Sequence, residues 1–177
     1  MLERAREYGP VGLVPLAWTF AAAAHLGYVG EHPLFVAHVV MVVLLAGFAG
    51  LSWTEMRAGA LRAWRTVVTL GVGVTALGLA SFWTPAEPAG YLRAGAVVGW
   101  MLLPAWGLAD TARRTPDPAF ARVYLGAAVA SVAGAALAVV GLAAPGPLPA
   151  AGWVVLAGIA VTGAGQTASI VAAARQS

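Results

Sequence analysis

The chain has 177 residues, 60% of them hydrophobic and 10% charged, with a net charge of +3 and a mean hydropathy of +0.82. A soluble domain carries about 25% charged residues, so a water-soluble globule is excluded: it would have nowhere to put so much apolar surface. The absence of cysteine excludes disulfides, thiolate metal sites, iron–sulfur clusters and cysteine nucleophiles. Every basic side chain is arginine, spread over several short polar segments, and that dispersal argues against a nucleic-acid partner.

Polar residues separate apolar runs of about 20 residues, the length that crosses a hydrocarbon core of about 30 Å. The first run, 11–30, follows the polar segment 2–8 and contains Pro15; Glu31, His32 and Pro33 read as the turn that closes it. The second, 34–53, ends before Glu55, Met56 and Arg57. The third, 61–83, carries Arg62 and Arg65 in its first turn and ends at Thr84-Pro85-Ala86-Glu87-Pro88, where the prolines predict a loop. The fourth, 90–109, includes Pro104, an expected kink, and is followed by the most polar stretch of the chain, 110–118. The fifth run is 120–144, the proline-rich segment 145–149 reads as a turn, and the sixth is 151–174. Strands crossing a membrane would alternate in polarity over about 10 residues. The runs therefore predict an all-α polytopic bundle of six transmembrane helices, in one membrane domain, 1–177, contacting the lipid bilayer.

Arginine placement tests this order independently of hydropathy. With strict alternation, one side holds Arg4, Arg6, Arg57, Arg62, Arg65, Arg113, Arg114, Arg122 and Arg175, and the other holds Arg93 alone. That asymmetry predicts a multi-pass protein of the cell membrane with both termini cytoplasmic. Tyr8, Trp53, Trp64 and Tyr124 fall at inner boundaries; Tyr28, Trp83, Tyr91 and Trp153 fall at outer ones. Trp18 and Trp100 lie deeper and are expected inside the bundle. An alternative reading takes the first run as a signal peptide cleaved near Ala22-Ala23-Ala24, which would leave five spans.

Lipid gives helices no hydrophobic reason to associate, so small residues carry the packing signal. The fifth run shows Gly126, Ala130, Gly134 and Ala138 at four-residue spacing; the third offers Gly71 with Thr75, and the sixth Gly158 with Thr162. The chain reads as three hairpins packed into a tight monomeric bundle.

Ionisable residues inside a membrane are costly and so mark candidate sites. In a hairpin of the first two runs, His25 and His38 come to nearly equal depth, roughly 6 to 8 Å below the outer end. His32 lies in the turn above, and Met41 is one helical turn from His38. Three readings stand open. Imidazoles on neighbouring helices hold haem b axially, or with His32 and Met41 hold copper; the pair relays protons or takes a small ligand; or each ring bonds to backbone near the headgroup zone. Arg93, the single outer arginine, either takes an anionic group or pairs with Glu87 or Glu31. Thr162, Gln166 and Ser169 form a polar stripe at helical spacing, lining a solute path or bonding between helices. Asp110 is expected to pair with Arg113 or Arg114, and Glu55 with Arg57 or Arg62. No phosphate-cradling loop, paired catalytic carboxylates or HExxH motif is present, so hydrolase, kinase and ATPase functions, and independent catalysis generally, are not expected.

The sequence leaves three functions in view. One is a haem- or copper-binding subunit of a membrane redox complex or of its assembly, using His25 and His38. Another is a solute-binding or transport component, with Arg93 and Gln166 on the path. Its layout of six spans in a short chain is similar to that of the substrate-binding subunits of energy-coupling-factor vitamin transporters, and Ala17 with Ala21 would suit close docking of the first span. The third is a scaffold subunit that works beside other membrane subunits without chemistry of its own.

Overall fold

The first apolar run does not reach Gly30 as a helix, because the chain turns at Gly27. Gly27 takes φ +79°, a left-handed conformation that costs glycine little. Around it, Gly27 N donates to Ala24 O at 3.1 Å and Tyr28 N to Ala23 O at 2.9 Å, closing the helix with the paired bonds of a Schellman motif. The structure, a computed structural model, describes residues 2–144 and 150–176, without the side chains of residues 2–11, 55, 60 and 150. The expected turn at 145–149 and the pairing expected of Glu55 lie outside what is described.

Six α-helices follow one another: α1 (Leu2–His25), α2 (Glu31–Leu51), α3 (Gly59–Ala80), α4 (Ala86–Arg114), α5 (Pro118–Ala143) and α6 (Ala150–Ala174). Short 3₁₀ turns, Glu55–Arg57 and Ser81–Trp83, lead into and out of α3. No strand occurs among the described residues. Helices α2 to α6 are long and apolar enough to cross a membrane; the described apolar part of α1, Gly12–His25, is shorter.

The prolines read as loop signals are corrected by the structure. Glu31, His32 and Pro33 are the first turn of α2, and Pro88 sits in the first turn of α4. The first-turn N–H groups of a helix have no intrahelical partner, so proline removes nothing there. Helix α4 also runs unbroken through buried Pro104 and continues to Arg114, past the expected end of its span at 109. Helix α5 starts at Pro118, ahead of the expected 120: Pro118 follows the N-cap Asp117, whose carboxylate accepts from Ala119 N at 2.7 Å.

The packing order is α2, α3, α4, α5, α6, α1. Two of the three expected hairpins form, α3 with α4 and α5 with α6. The first does not: among the described residues α1 packs on α6, while α2 packs on α3. Every link fits helices that alternate in direction. His25 meets Gly152 and Glu31 meets Arg93 at one end; Trp64 meets Thr111 and Tyr124 meets Gln176 at the other.

Glycine sets the closeness of these contacts. At the α5–α6 seam, a Cβ on Gly158 would lie 2.5 Å from Gly134 O and 3.0 Å from Ala138 N, and one on Gly165 would lie 2.8 Å from Ala130 Cβ. Three of the four small residues predicted on the fifth span therefore line one seam. Gly126 has open space beside it and is not part of it. The central core gathers Met101, Ala135, Ala138, Val155 and Ile159, with Trp18 and Ala22 of α1 packed against it.

Elsewhere the indole rings of three tryptophans settle on glycines of a neighbouring helix. Trp100 of α4 lies on Gly71 of α3, Trp64 of α3 on Gly107 of α4, and Trp18 of α1 on Gly163 of α6. Each ring then donates its Nε1–H to a polar side chain about one turn beyond that glycine: Thr75, Thr111 and Gln166, each at 3.0 Å. The glycine admits the ring and the polar residue holds its otherwise unsatisfied N–H. The inward placement expected of Trp18 and Trp100 is borne out, and Gly71 with Thr75 is one half of such a contact.

Gly158→Ala is expected to lower stability by about 1–3 kcal/mol, because backbone atoms of α5 cannot yield to the added methyl. Gly126→Ala should leave stability within about 0.5 kcal/mol of the parent. Detergent-unfolding midpoints of the two variants check both.

Candidate functional site

The histidines are not brought together. His25 closes α1 against α6, where Nε2 lies 3.0 Å from Gly152 O; His38 lies on α2, where Nδ1 is 2.8 Å from Leu34 O. A carbonyl only accepts, so each contacting nitrogen carries the proton. The nitrogen left over is Nδ1 of His25 and Nε2 of His38. The latter nitrogen is pressed onto α3: a Cβ on Gly78 would lie 2.7 Å from it. The arrangement reproduces the reading in which each ring bonds to backbone; the hairpin packing of the first two spans, on which contact between the pair depended, does not form among the described residues. His32 is exposed in the first turn of α2, and Met41 is exposed further along that helix. No group of three or more His, Asp or Glu side chains with metal-site geometry occurs among the described residues.

His38 belongs instead to a ring cluster where α2, α3 and α4 meet. Its imidazole meets Phe82 edge-on at 5.7 Å, and Phe35 meets Phe82 at 5.4 Å and Trp83 at 5.6 Å. The guanidinium of Arg93 lies 5.1 Å from the Phe82 ring centroid, donates to Ser81 Oγ at 3.0 Å, and reaches Glu31 Oε1 at 3.1 Å. Of the two acids expected as partners of Arg93, Glu31 is the one engaged. The pair is half open to solvent, with side-chain exposures of 38% and 78%, and such pairs contribute about 0–1 kcal/mol. Its structural effect is to tie α2 to α4. That tie matters because no residue of α2 is buried.

Gln166 is the centre of a second, interior constellation. Its Oε1 accepts from Trp18 Nε1 at 3.0 Å, while its Nε2 donates at 3.4 Å both to Trp100 O and to Ser131 Oγ. Trp100 in turn reaches Thr75, whose hydroxyl donates to Gly71 O at 2.8 Å. Five helices, α1, α3, α4, α5 and α6, are thereby joined through one amide. The other members of the predicted stripe are buried too: Ser169 Oγ donates to Gln166 O, and Thr162, 0% exposed, packs its hydroxyl on Gly134 with no hydrogen-bond partner among the described residues. The interhelical alternative for this stripe is the one the structure displays for Gln166. Ser131 was not singled out in the sequence, although it is the lone hydroxyl in the stretch 125–143.

At the arginine-rich end, Arg114 makes two bonds to Asp110, at 2.7 and 3.2 Å, as the helix spacing predicts. Arg65 lies over Trp53, 4.7 Å from its ring centroid. Chemically, these constellations hold protons and charges in place rather than presenting a nucleophile with a base.

Fold and site together define an all-helical bundle whose apolar helices fit a membrane protein in contact with lipid. Comparison with protein-family models, curated proteins and solved structures finds no match to this chain.

Gln166→Met, which keeps volume and removes the amide, is expected to destabilise the bundle by about 1–2 kcal/mol. Trp18→Phe combined with Gln166→Met should cost less than the sum of the two single changes, because they share one bond. A double-mutant cycle on unfolding midpoints measures the difference; strict additivity would mean that the Trp18–Gln166 bond contributes nothing.

Proposed function

We propose that this chain is a six-span scaffold subunit of the cell membrane, with both termini cytoplasmic and without catalysis of its own. The observation that carries the reading is the engagement of the interior polar groups. Gln166, Trp18, Trp100 and Thr75 bond to one another or to neighbouring helices. Arg93 is held by Glu31 and Ser81. Side chains used this way hold helices in register and leave few donors and acceptors for a transported solute. Helix α2, apolar along its length and with no buried residue, is available to lipid or to other membrane subunits.

The redox reading asks for more rearrangement. To coordinate one haem or copper, His38 would have to withdraw Nε2 from Gly78, and α1 would have to leave α6 for α2. The transport reading would require Gln166 to release Trp18, and its two residues belong to separate constellations. The orientation rests on the arginines, nine at one end and Arg93 at the other.

Two measurements test the proposal. The chain lacks cysteine, so single cysteines report topology directly. His32→Cys should react with a membrane-impermeant maleimide in intact cells, and Pro116→Cys only after permeabilisation; the reverse pattern would overturn the orientation. Protein purified in mild detergent from cells supplied with haem and copper is expected to show no Soret band and no stoichiometric copper. It should also co-purify with a membrane partner in fixed ratio. A Soret band or bound copper that disappears in His25→Ala with His38→Ala would replace the scaffold reading with the redox one.

A further inference from the structure

The arginine-rich end of the bundle carries two adjoining grooves that share a wall. One, of about 590 Å³, runs between α4 and α5 and is lined only by apolar residues, among them Leu102, Trp106, Val129 and Ala133. The other, of about 300 Å³, lies between α3 and α4 and is lined by Arg62, Thr66, Asp110 and Arg114, with Trp106 again. Trp106 is 51% exposed, so its ring stands between the two grooves.

One ridge of α4 connects them. Leu102, Trp106, Asp110 and Arg114 recur at four-residue spacing and so share a face. From Leu102 to Arg114 the helix rises roughly 18 Å, against a depth of about 15 Å for half the hydrocarbon core. The ridge thus leads from the headgroup level to the bilayer centre. The apolar groove is hollow because alanines occupy the positions beside this ridge: Ala105 and Ala109 on α4, Ala128, Ala133 and Ala136 on α5.

Charge at the polar groove is set by three groups. Asp110 engages Nε and Nη2 of Arg114, which leaves Nη1 without a partner among the described residues. Arg62 has no acidic partner within ion-pair distance among those residues. Among the described side chains the groove lining thus sums to one net positive charge, Arg62 and Arg114 against Asp110, with Thr66 beside them.

We propose that these grooves form a single binding site for one anionic phospholipid. Its phosphate lies between Arg62 and Arg114, and an acyl chain runs past Trp106 along the α4–α5 groove. The charge selects an anionic headgroup over a zwitterionic one, and the apolar groove selects a lipid over a soluble phosphate. The site depends on the membrane reading of the fold and not on the scaffold role: lipid selectivity and partner co-purification are separate readouts.

The test is native mass spectrometry on protein released from nanodiscs containing equal amounts of dioleoyl phosphatidylglycerol and dioleoyl phosphatidylcholine. One retained phosphatidylglycerol per chain is expected, favoured severalfold over phosphatidylcholine. Arg62→Gln should reduce that preference about fivefold, as the loss of one arginine at a lipid surface does, and Arg62→Gln with Arg114→Gln should abolish it. Ala133→Phe, which fills the groove from an exposed position, should reduce retention with Arg62 and Arg114 intact. Glycerol phosphate at millimolar concentration should not displace the lipid. Equal retention of both lipids would overturn the proposal. So would an equal loss on Arg57→Gln, which would reveal diffuse attraction, or displacement by glycerol phosphate, which would reveal a headgroup-only site. A dimer lost in Ala133→Phe, with no lipid preference, would overturn it in favour of a second copy of the chain.

Discussion

A tryptophan that crosses from one helix onto a glycine of the next meets two demands of a lipid environment in one contact. Helix association in a bilayer cannot draw on the hydrophobic effect, so close packing and interhelical hydrogen bonds must supply it. In Trp18, Trp64 and Trp100 both come from one side chain, which packs on Gly163, Gly107 or Gly71 and whose N–H reaches Gln166, Thr111 or Thr75. The α3–α4 pair uses the contact twice in opposite senses, Trp64 going one way and Trp100 the other. The α1–α6 pair uses it once, and that contact explains why α1 leaves its chain neighbour α2: α6 offers Gly163 and Gln166.

The α5–α6 seam solves the same problem without rings. Gly134, Ala138 and Gly141 of α5 face Gly158 and Val155 of α6 closely enough that added methyl groups would meet backbone atoms. Helix α2 stands at the other extreme. Its inward contacts are the ring cluster of Phe35 and His38 on α3, with the Glu31–Arg93 pair to α4. Val, Leu and Met make up ten of its 21 residues, and lipid tails are as good a neighbour for those side chains as another helix is. Its loose attachment follows from composition.

Much of the fold was legible because bilayer thickness imposes a length on each span and arginine asymmetry imposes an alternation. Helix ends were less so. Pro33 and Pro88 look like loop signals until their position is known to be a first turn, where no N–H is missed. Gly27 inside an apolar run gives no sign from hydropathy that the helix stops there. The partner of α1 was beyond reach, because adjacency along the chain is the default expectation and only the match of Trp18 to Gly163 and Gln166 overrides it. The histidine pair was misplaced for that same reason: equal depth on two spans becomes contact only if those spans pack. Gln166 was visible as a polar residue at helical spacing and Thr75 as a small residue four positions from Gly71; Ser131, a single hydroxyl among alanines and valines, became meaningful only with Gln166 opposite it.

Apart from the Thr162 hydroxyl, the described interior polar side chains are already engaged, which turns attention to the surface, and this surface is unequal from end to end. At the end that carries Arg93, the guanidinium is engaged by a carboxylate, a hydroxyl and an aromatic face. At the opposite end Arg65 stacks on Trp53 and Arg114 is shared with Asp110, while Arg62 lines a groove and has no acidic partner among the described side chains. The arginine excess that orients a membrane protein is generally read as a bulk property of loops. Here one of those arginines, Arg62, lines a groove between two helices, next to an apolar groove lined largely by alanines. Under the proposed orientation, the same charge that orients the chain would be the one offered to an anionic headgroup.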